Sequence, residues 1–148
     1  MTFDASMNTA AVLNNLPKIL EFVRYQAVQA EVPETIKSKL DLVVEELFVN
    51  IVKYSYEDQA SNRAEVEIRC RKVSLPDSST GVFSLTFKDF GPPFNPLEQQ
   101  LPSLDTDLDE RQVGGLGIYL TQLMADSCSY TRKEESNLFE VCFHCIAA

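Results

Sequence analysis

Apolar residues recur along the chain with two different periods. From about Thr9 to Ala30, Val12, Leu13, Leu16, Ile19, Leu20, Phe22 and Val23 fall at helical spacing. This predicts a helix in which Pro17 is tolerable only near the first turn or at a kink, with Asn8 or Asn14 as its cap. The segment EVPETIK breaks the pattern. Pro33 then reads as the first-turn residue of a second helix reaching about Tyr54, with Ile36, Leu40, Val43, Val44, Leu47, Phe48, Ile51 and Val52 apolar. EDQASN at 57–62 is a polar loop. RAEVEIRCRKV and GVFSLTFKDF alternate apolar and polar residues about the turn-rich SLPDSSTG, the pattern of a β-hairpin. MTFDAS, ahead of the first helix, reads as a short edge strand. Residues 91–112 are rich in proline and acidic residues and show no period, so a long loop fits, and loops of that length are usually lids, binding loops or disordered segments. A short helix from about Gly115 to Ala125 follows, and SCSYTRKEESNLFEVCFHC closes the chain as a second hairpin about EESN.

This order predicts an α+β fold. It is a two-layer α/β sandwich with a mixed, mostly antiparallel sheet and helices on one face. No internal repeat interrupts it, and 148 residues suit one domain, 1–148.

Charge narrows the partners. The formal net charge of −9 repels phosphate-rich nucleic acid unless a basic patch is concentrated somewhere. The longest basic cluster, Arg69-Cys70-Arg71-Lys72, alternates like the outer face of a strand. Protein partners fit an acidic surface better. No stretch approaches the ~20 apolar residues that span a bilayer, and the N-terminus lacks the basic start and apolar core of a signal peptide. The expectation is a cytoplasmic protein, with no membrane contact, whose four cysteines stay reduced. CFHC at 142–145 could begin a zinc or redox site. However, LFEVCFHCI alternates as a strand, with Phe139, Val141 and Phe143 on one face and Cys142 and His144 on the other, and Cys70 and Cys128 form no second pair. The only histidine then reads as structural.

Three features carry chemistry. Glu46 and Asn50 are i and i+4 in the second helix, so they stack on one face. Alone, they could belong to a solvated stripe with Lys39 and Lys53. In KDFGPPFNP, Asp89 ends a strand just before Gly91. There a carboxylate can accept a hydrogen bond from an exocyclic amine, and the glycine admits a ligand close to the backbone. Alone, this is also an ordinary turn leaving a strand. VGGLGIYL places Gly114, Gly115 and Gly117, three of the five glycines, at the start of a helix, where bare N–H groups attract phosphate. It is neither a Walker sequence nor a Rossmann fingerprint.

In this order and spacing the three resemble the N, G1 and G2 boxes of the GHKL ATPases, of the Bergerat or histidine-kinase-like fold. DFGPPFNP and GGLGIYL most resemble the RsbW-like bacterial anti-sigma factor serine kinases, with the likeness running from about residue 10 to 143. The resemblance implies that Asn50 ligates Mg²⁺ bridging the ATP phosphates and that Glu46 is the general base for the acceptor hydroxyl. It implies that Asp89 binds the adenine amino group beside Gly91, and that Gly115, Leu116 and Gly117 belong to a phosphate lid of about 97–117. Asn137 falls where the family carries a threonine or asparagine near adenine. The family's partners would be a sigma factor and a STAS-type antagonist, in a homodimeric kinase. Tyr54 stands where many relatives carry histidine and is given no catalytic role. Arg111 reads as a solvated charge, and Glu45 as a surface residue. The alternatives are an ATP-binding switch module without kinase activity and a stand-alone histidine-kinase-like ATPase domain.

Overall fold

The period-two segments form five strands: β1 (Thr2–Ala10), β2 (Glu65–Ser74), β3 (Thr80–Asp89), β4 (Ser127–Lys133) and β5 (Ser136–Ile146). They pair in the order β1-β2-β3-β5-β4. The computed structural model describes residues 2–55, 64–74, 80–98 and 115–146. All four strand pairings are antiparallel, so the sheet is wholly antiparallel among the described residues, where the pattern allowed a mixed one. The helices are α1 (Leu16–Gln29), α2 (Glu34–Asn50) and α3 (Gly115–Met124). A π-helical turn, Ile51–Ser55, directly continues α2.

The sheet's inner face carries Val66, Ile68 and Cys70 of β2, Phe83, Leu85 and Phe87 of β3, and Phe139, Val141 and Phe143 of β5, all buried. Against them lie Ile19, Val23 and Ala27 of α1 and Leu40, Val43, Val44, Leu47 and Phe48 of α2. Each large aliphatic or aromatic side chain removed from water there contributes on the order of 1.5–3 kcal/mol before entropy is counted. The same parity separates the cysteines: Cys145 is buried on the inner face, whereas Cys142 and His144 face outward. Cys142 and Cys145 therefore cannot converge on one ion, and no His/Cys/Asp/Glu cluster among the described residues could hold a metal. Burial pushes the thiols of Cys70 and Cys128 up to about 12 and about 11.

The N-terminal boundaries differ from the expectation. β1 extends to Ala10, and α1 begins only at Leu16, with Pro17 in its first turn. Asn15 holds the capping position and donates through Nδ2 to the Ala10 carbonyl at 3.0 Å. Asn8 instead lies in β1 opposite Glu67, and Asn14 is inside a short 3-10 turn. The cause is that Val12 and Leu13 match the helical period but stay exposed, at 47% and 53%, while Phe3 and Met7 of β1 pack on the core. Alternation therefore governs through Ala10.

α1 ends in a left-handed cap. Glu31 has φ 56°, and Val32 N–H donates back to the Ala27 carbonyl at 2.9 Å, the arrangement that glycine usually supplies. Lys72 donates through Nζ to the Ala30 carbonyl at 2.7 Å, placing a cation at the negative end of the helix. Pro33 is extended at the N-cap of α2, one position before the helix proper.

Candidate functional site

The strand register builds one polar row across the inner face. Arg132 of β4 lies opposite Asn137 of β5, which lies opposite Asp89 of β3. The next inward row is Tyr130, Phe139 and Phe87. Over these rows passes the end of α2, and together they line a pocket that opens to solvent. Leu47, Asn50, Ile51, Ile118, Phe94 and Pro96 complete its lining. The slot is mostly apolar, with a few convergent polar groups, the usual composition of a small-molecule site.

Asp89 is buried at 5% exposure. Its Oδ1 accepts the Gly91 N–H at 3.0 Å and Asn137 Nδ2 at 2.9 Å. Asn137 also donates through Nδ2 to the Pro92 carbonyl at 2.9 Å. Its Oδ1 accepts from the Phe94 N–H, the Tyr130 hydroxyl and the Arg132 guanidinium. Arg132 donates to the Gly91 carbonyl as well, at 2.8 Å. The carboxylate is thus fixed, and the chain leaving β3 is held from both sides.

Asn50 shows the opposite situation. It is 5% exposed, faces the same pocket, and among the described residues neither Oδ1 nor Nδ2 has a hydrogen-bond partner. A solvated stripe is excluded, because the residue is buried. Leaving such an amide unpaired costs about 1–3 kcal/mol, so the position suits a ligand that arrives from outside the chain. An amide oxygen is a hard donor of the kind Mg²⁺ accepts.

Glu46, one turn earlier, is half-buried beside α3. A Cβ placed on Gly117 would meet Glu46 Oε2 at 1.8 Å and Cδ at 2.5 Å. A side chain at 117 would push the Glu46 carboxylate out of this position. Burial, and then the neighbouring charge of exposed Glu45, raises the Glu46 carboxyl above its ordinary value, the direction useful to a general base.

Asn50, Asp89 and Asn137 therefore share one pocket, Gly91 is tied to it, and Glu46 meets Gly117 beside it. Gly115 and Leu116 begin α3. Of the lid expectation, Leu97 and Glu98 form part of a 3-10 turn, and 99–114, including Arg111 and Gly114, lie outside the described residues. Reading motifs alone missed Tyr130 and Arg132. Counting back from the Glu134–Glu135 turn pairs Arg132 with Asn137, so the hairpin itself carried that signal. It also missed the π-helical turn, which brings Tyr54 to stack on Phe94 with ring centroids 5.1 Å apart and 17° between planes.

The family model of the histidine kinase-like ATPase domain matches residues 9–143. The chain belongs to that family. ATP is accordingly the nucleotide that its fold is built to hold. Two solved structures share the fold at low sequence identity. One contains the RsbU and RsbW domains of Rv1364c from Mycobacterium tuberculosis, with TM-score 0.61 and 10% identity over 98% of this chain and 34% of that one. This histidine kinase-like domain spans about a third of that longer protein. The other is the SiaB–SiaC complex from Pseudomonas aeruginosa, with TM-score 0.53 and 12% identity over 95% of this chain and 89% of that one. No curated protein matches the sequence significantly. Among the described residues no helix is long and apolar enough to cross a membrane.

Proposed function

We propose that this domain is an ATP- and Mg²⁺-dependent protein-serine kinase of the anti-sigma type, spanning 1–148 with a lid at about 97–117. It would bind a sigma factor and phosphorylate a STAS-type antagonist, acting as a cytoplasmic homodimer. The observation that carries the reading is Asn50: a buried, unpartnered amide in the pocket that ends at Asp89, one turn from a carboxylate raised toward the basicity of a proton acceptor. The fold likeness to an RsbW domain supports the choice of partners.

In this reading Asp89 accepts the adenine amino group, the apolar rows hold the ring, and Gly115, Leu116 and Gly117 present backbone N–H groups toward the phosphates. Asn50 would hold Mg²⁺, whose charge would offset that of the phosphates. Glu46 takes the proton of the serine hydroxyl as its oxygen bonds to the γ-phosphorus. The bond to the β–γ bridging oxygen breaks, and ADP departs with the electron pair. Phosphoryl transfer needs little more than this orientation and charge neutralisation.

The test is transfer from labelled ATP to serine-bearing STAS proteins, measured beside nucleotide affinity. Glu46→Gln is expected to keep ATP binding and lose about 10²–10⁴ in transfer rate, whereas Asn50→Ala loses Mg²⁺-dependent binding and transfer together. Unchanged transfer in Glu46→Gln would remove the base assignment. Tight ATP binding by a wild type that phosphorylates no partner it binds would leave the switch-module reading.

A further inference from the structure

We propose that Arg132 and Tyr130 are positioning residues that set base selectivity by locking the Asn137 amide in one orientation, so that Asp89 can only accept a hydrogen bond from the base. The inference rests on the nucleotide reading above and deepens it. Asn137 has two ends that differ chemically but hardly in shape, and rotation by half a turn would exchange them. Three donors converge on one end: the Tyr130 hydroxyl, an Arg132 N–H at 3.2 Å and the Phe94 N–H at 3.3 Å. That end must be the oxygen. The other end is then obliged to be the NH₂ group, and it donates to Asp89 Oδ1 and the Pro92 carbonyl, each at 2.9 Å.

The consequence falls on Asp89. With Gly91 N–H and Asn137 Nδ2 both on Oδ1, the carboxylate cannot rotate without breaking two bonds, and it meets the base with acceptor oxygen. A base with an amino group at the facing position is accepted. One with a carbonyl oxygen there sets lone pairs against lone pairs. Arg132 adds a second hold through the Gly91 carbonyl at 2.8 Å, fixing the backbone whose N–H completes the pair. Sites built to hydrogen-bond a substrate group discriminate strongly against analogues lacking it, because a buried partner is then left unpaired. That discrimination requires a rigid partner. Arg132, which is not among the pocket's lining residues, acts without touching the nucleotide.

The experiment compares wild type, Arg132→Met, Tyr130→Phe and Arg132→Lys by calorimetric titration with Mg-ATP and Mg-ITP, which differ at the 6-position. In parallel, amide hydrogen exchange of the free protein is followed at Gly91 and Phe94. The expected result is about a tenfold loss of ATP affinity in Arg132→Met, about the scale of one charge-assisted bond. ITP affinity moves little, so the ATP/ITP ratio falls by the same factor, and exchange at Gly91 and Phe94 quickens. Tyr130→Phe shows a smaller change of the same sign, and Arg132→Lys recovers part of the ratio. An unchanged ratio and unchanged exchange in both Arg132→Met and Tyr130→Phe would overturn the proposal while leaving the ATP site intact, and so would equal weakening of both nucleotides. A wild type that binds neither nucleotide would remove the underlying reading, and this inference with it.

Discussion

Asn50 and Glu46 each sit in a setting that costs the free protein stability. For Asn50 the cost is two buried atoms without partners. Asn50→Leu keeps nearly the same volume and removes both orphans, so it is expected to raise the unfolding free energy by about 1–3 kcal/mol while abolishing Mg²⁺-dependent ATP binding. Thermal melts with and without Mg-ATP check both halves. For Glu46 the cost is a carboxylate partly withdrawn from water beside Glu45. Its folded-state proton affinity exceeds that of the unfolded chain. It therefore favours the folded state at low pH, and that contribution is lost as pH rises through the raised value. At neutral pH Glu46→Gln should be at least as stable as wild type, with the gap closing as acid protonates the wild-type residue. The transfer rate of wild type should fall in the same window, above the ordinary carboxylate range. A pH–rate profile whose acid limb lies at or below that range would contradict the base role.

At the scale of elements, the left-handed residue that ends α1 is the clearest misfit. Glu31 adopts φ 56° with a full side chain, a region that costs about 1 kcal/mol or more without glycine. Glu31→Gly is expected to gain about 0.5–1 kcal/mol in chemical denaturation at an unchanged slope. Much of the elements' layout was readable. Period-two alternation found β2, β3 and β5, the Pro33 break separated α1 from α2, and EESN contained the β4–β5 turn. Glu46, Asn50, Asp89 and Gly117 were each ambiguous alone, and only their joint order and spacing, as a family resemblance, pointed to one site. The β1–α1 boundary was not readable, since Val12 and Leu13 fit a helix but take no part in one. Nor was the π-helical turn at Ile51–Ser55. Its residues are ordinary helix formers, and such insertions arise where tertiary contacts, here the Tyr54–Phe94 stack, outweigh local preference.

For the molecule as a whole, ligand and fold are linked through mass action. ATP with Mg²⁺ at a hundred times its dissociation constant should add about 2.7 kcal/mol, roughly 5–10 °C for a chain of this size. Asp89→Asn, by weakening adenine binding ten- to hundredfold, should forfeit about half to most of that shift while leaving the ligand-free melt nearly in place. An undiminished ATP-induced shift would refute the adenine assignment. Arg132, Asn137 and Asp89 come from three strands but stand in one cross-strand row. Strand parity is binary: a slip of one residue between β3 and β5 would turn one partner outward, and a slip of two would set Phe87 against Asn137. No intermediate register yields a half-working pocket. Molecules that misassemble the sheet are therefore mute rather than promiscuous, and the fraction of a preparation that retains ATP is a direct count of the molecules whose strands are in step.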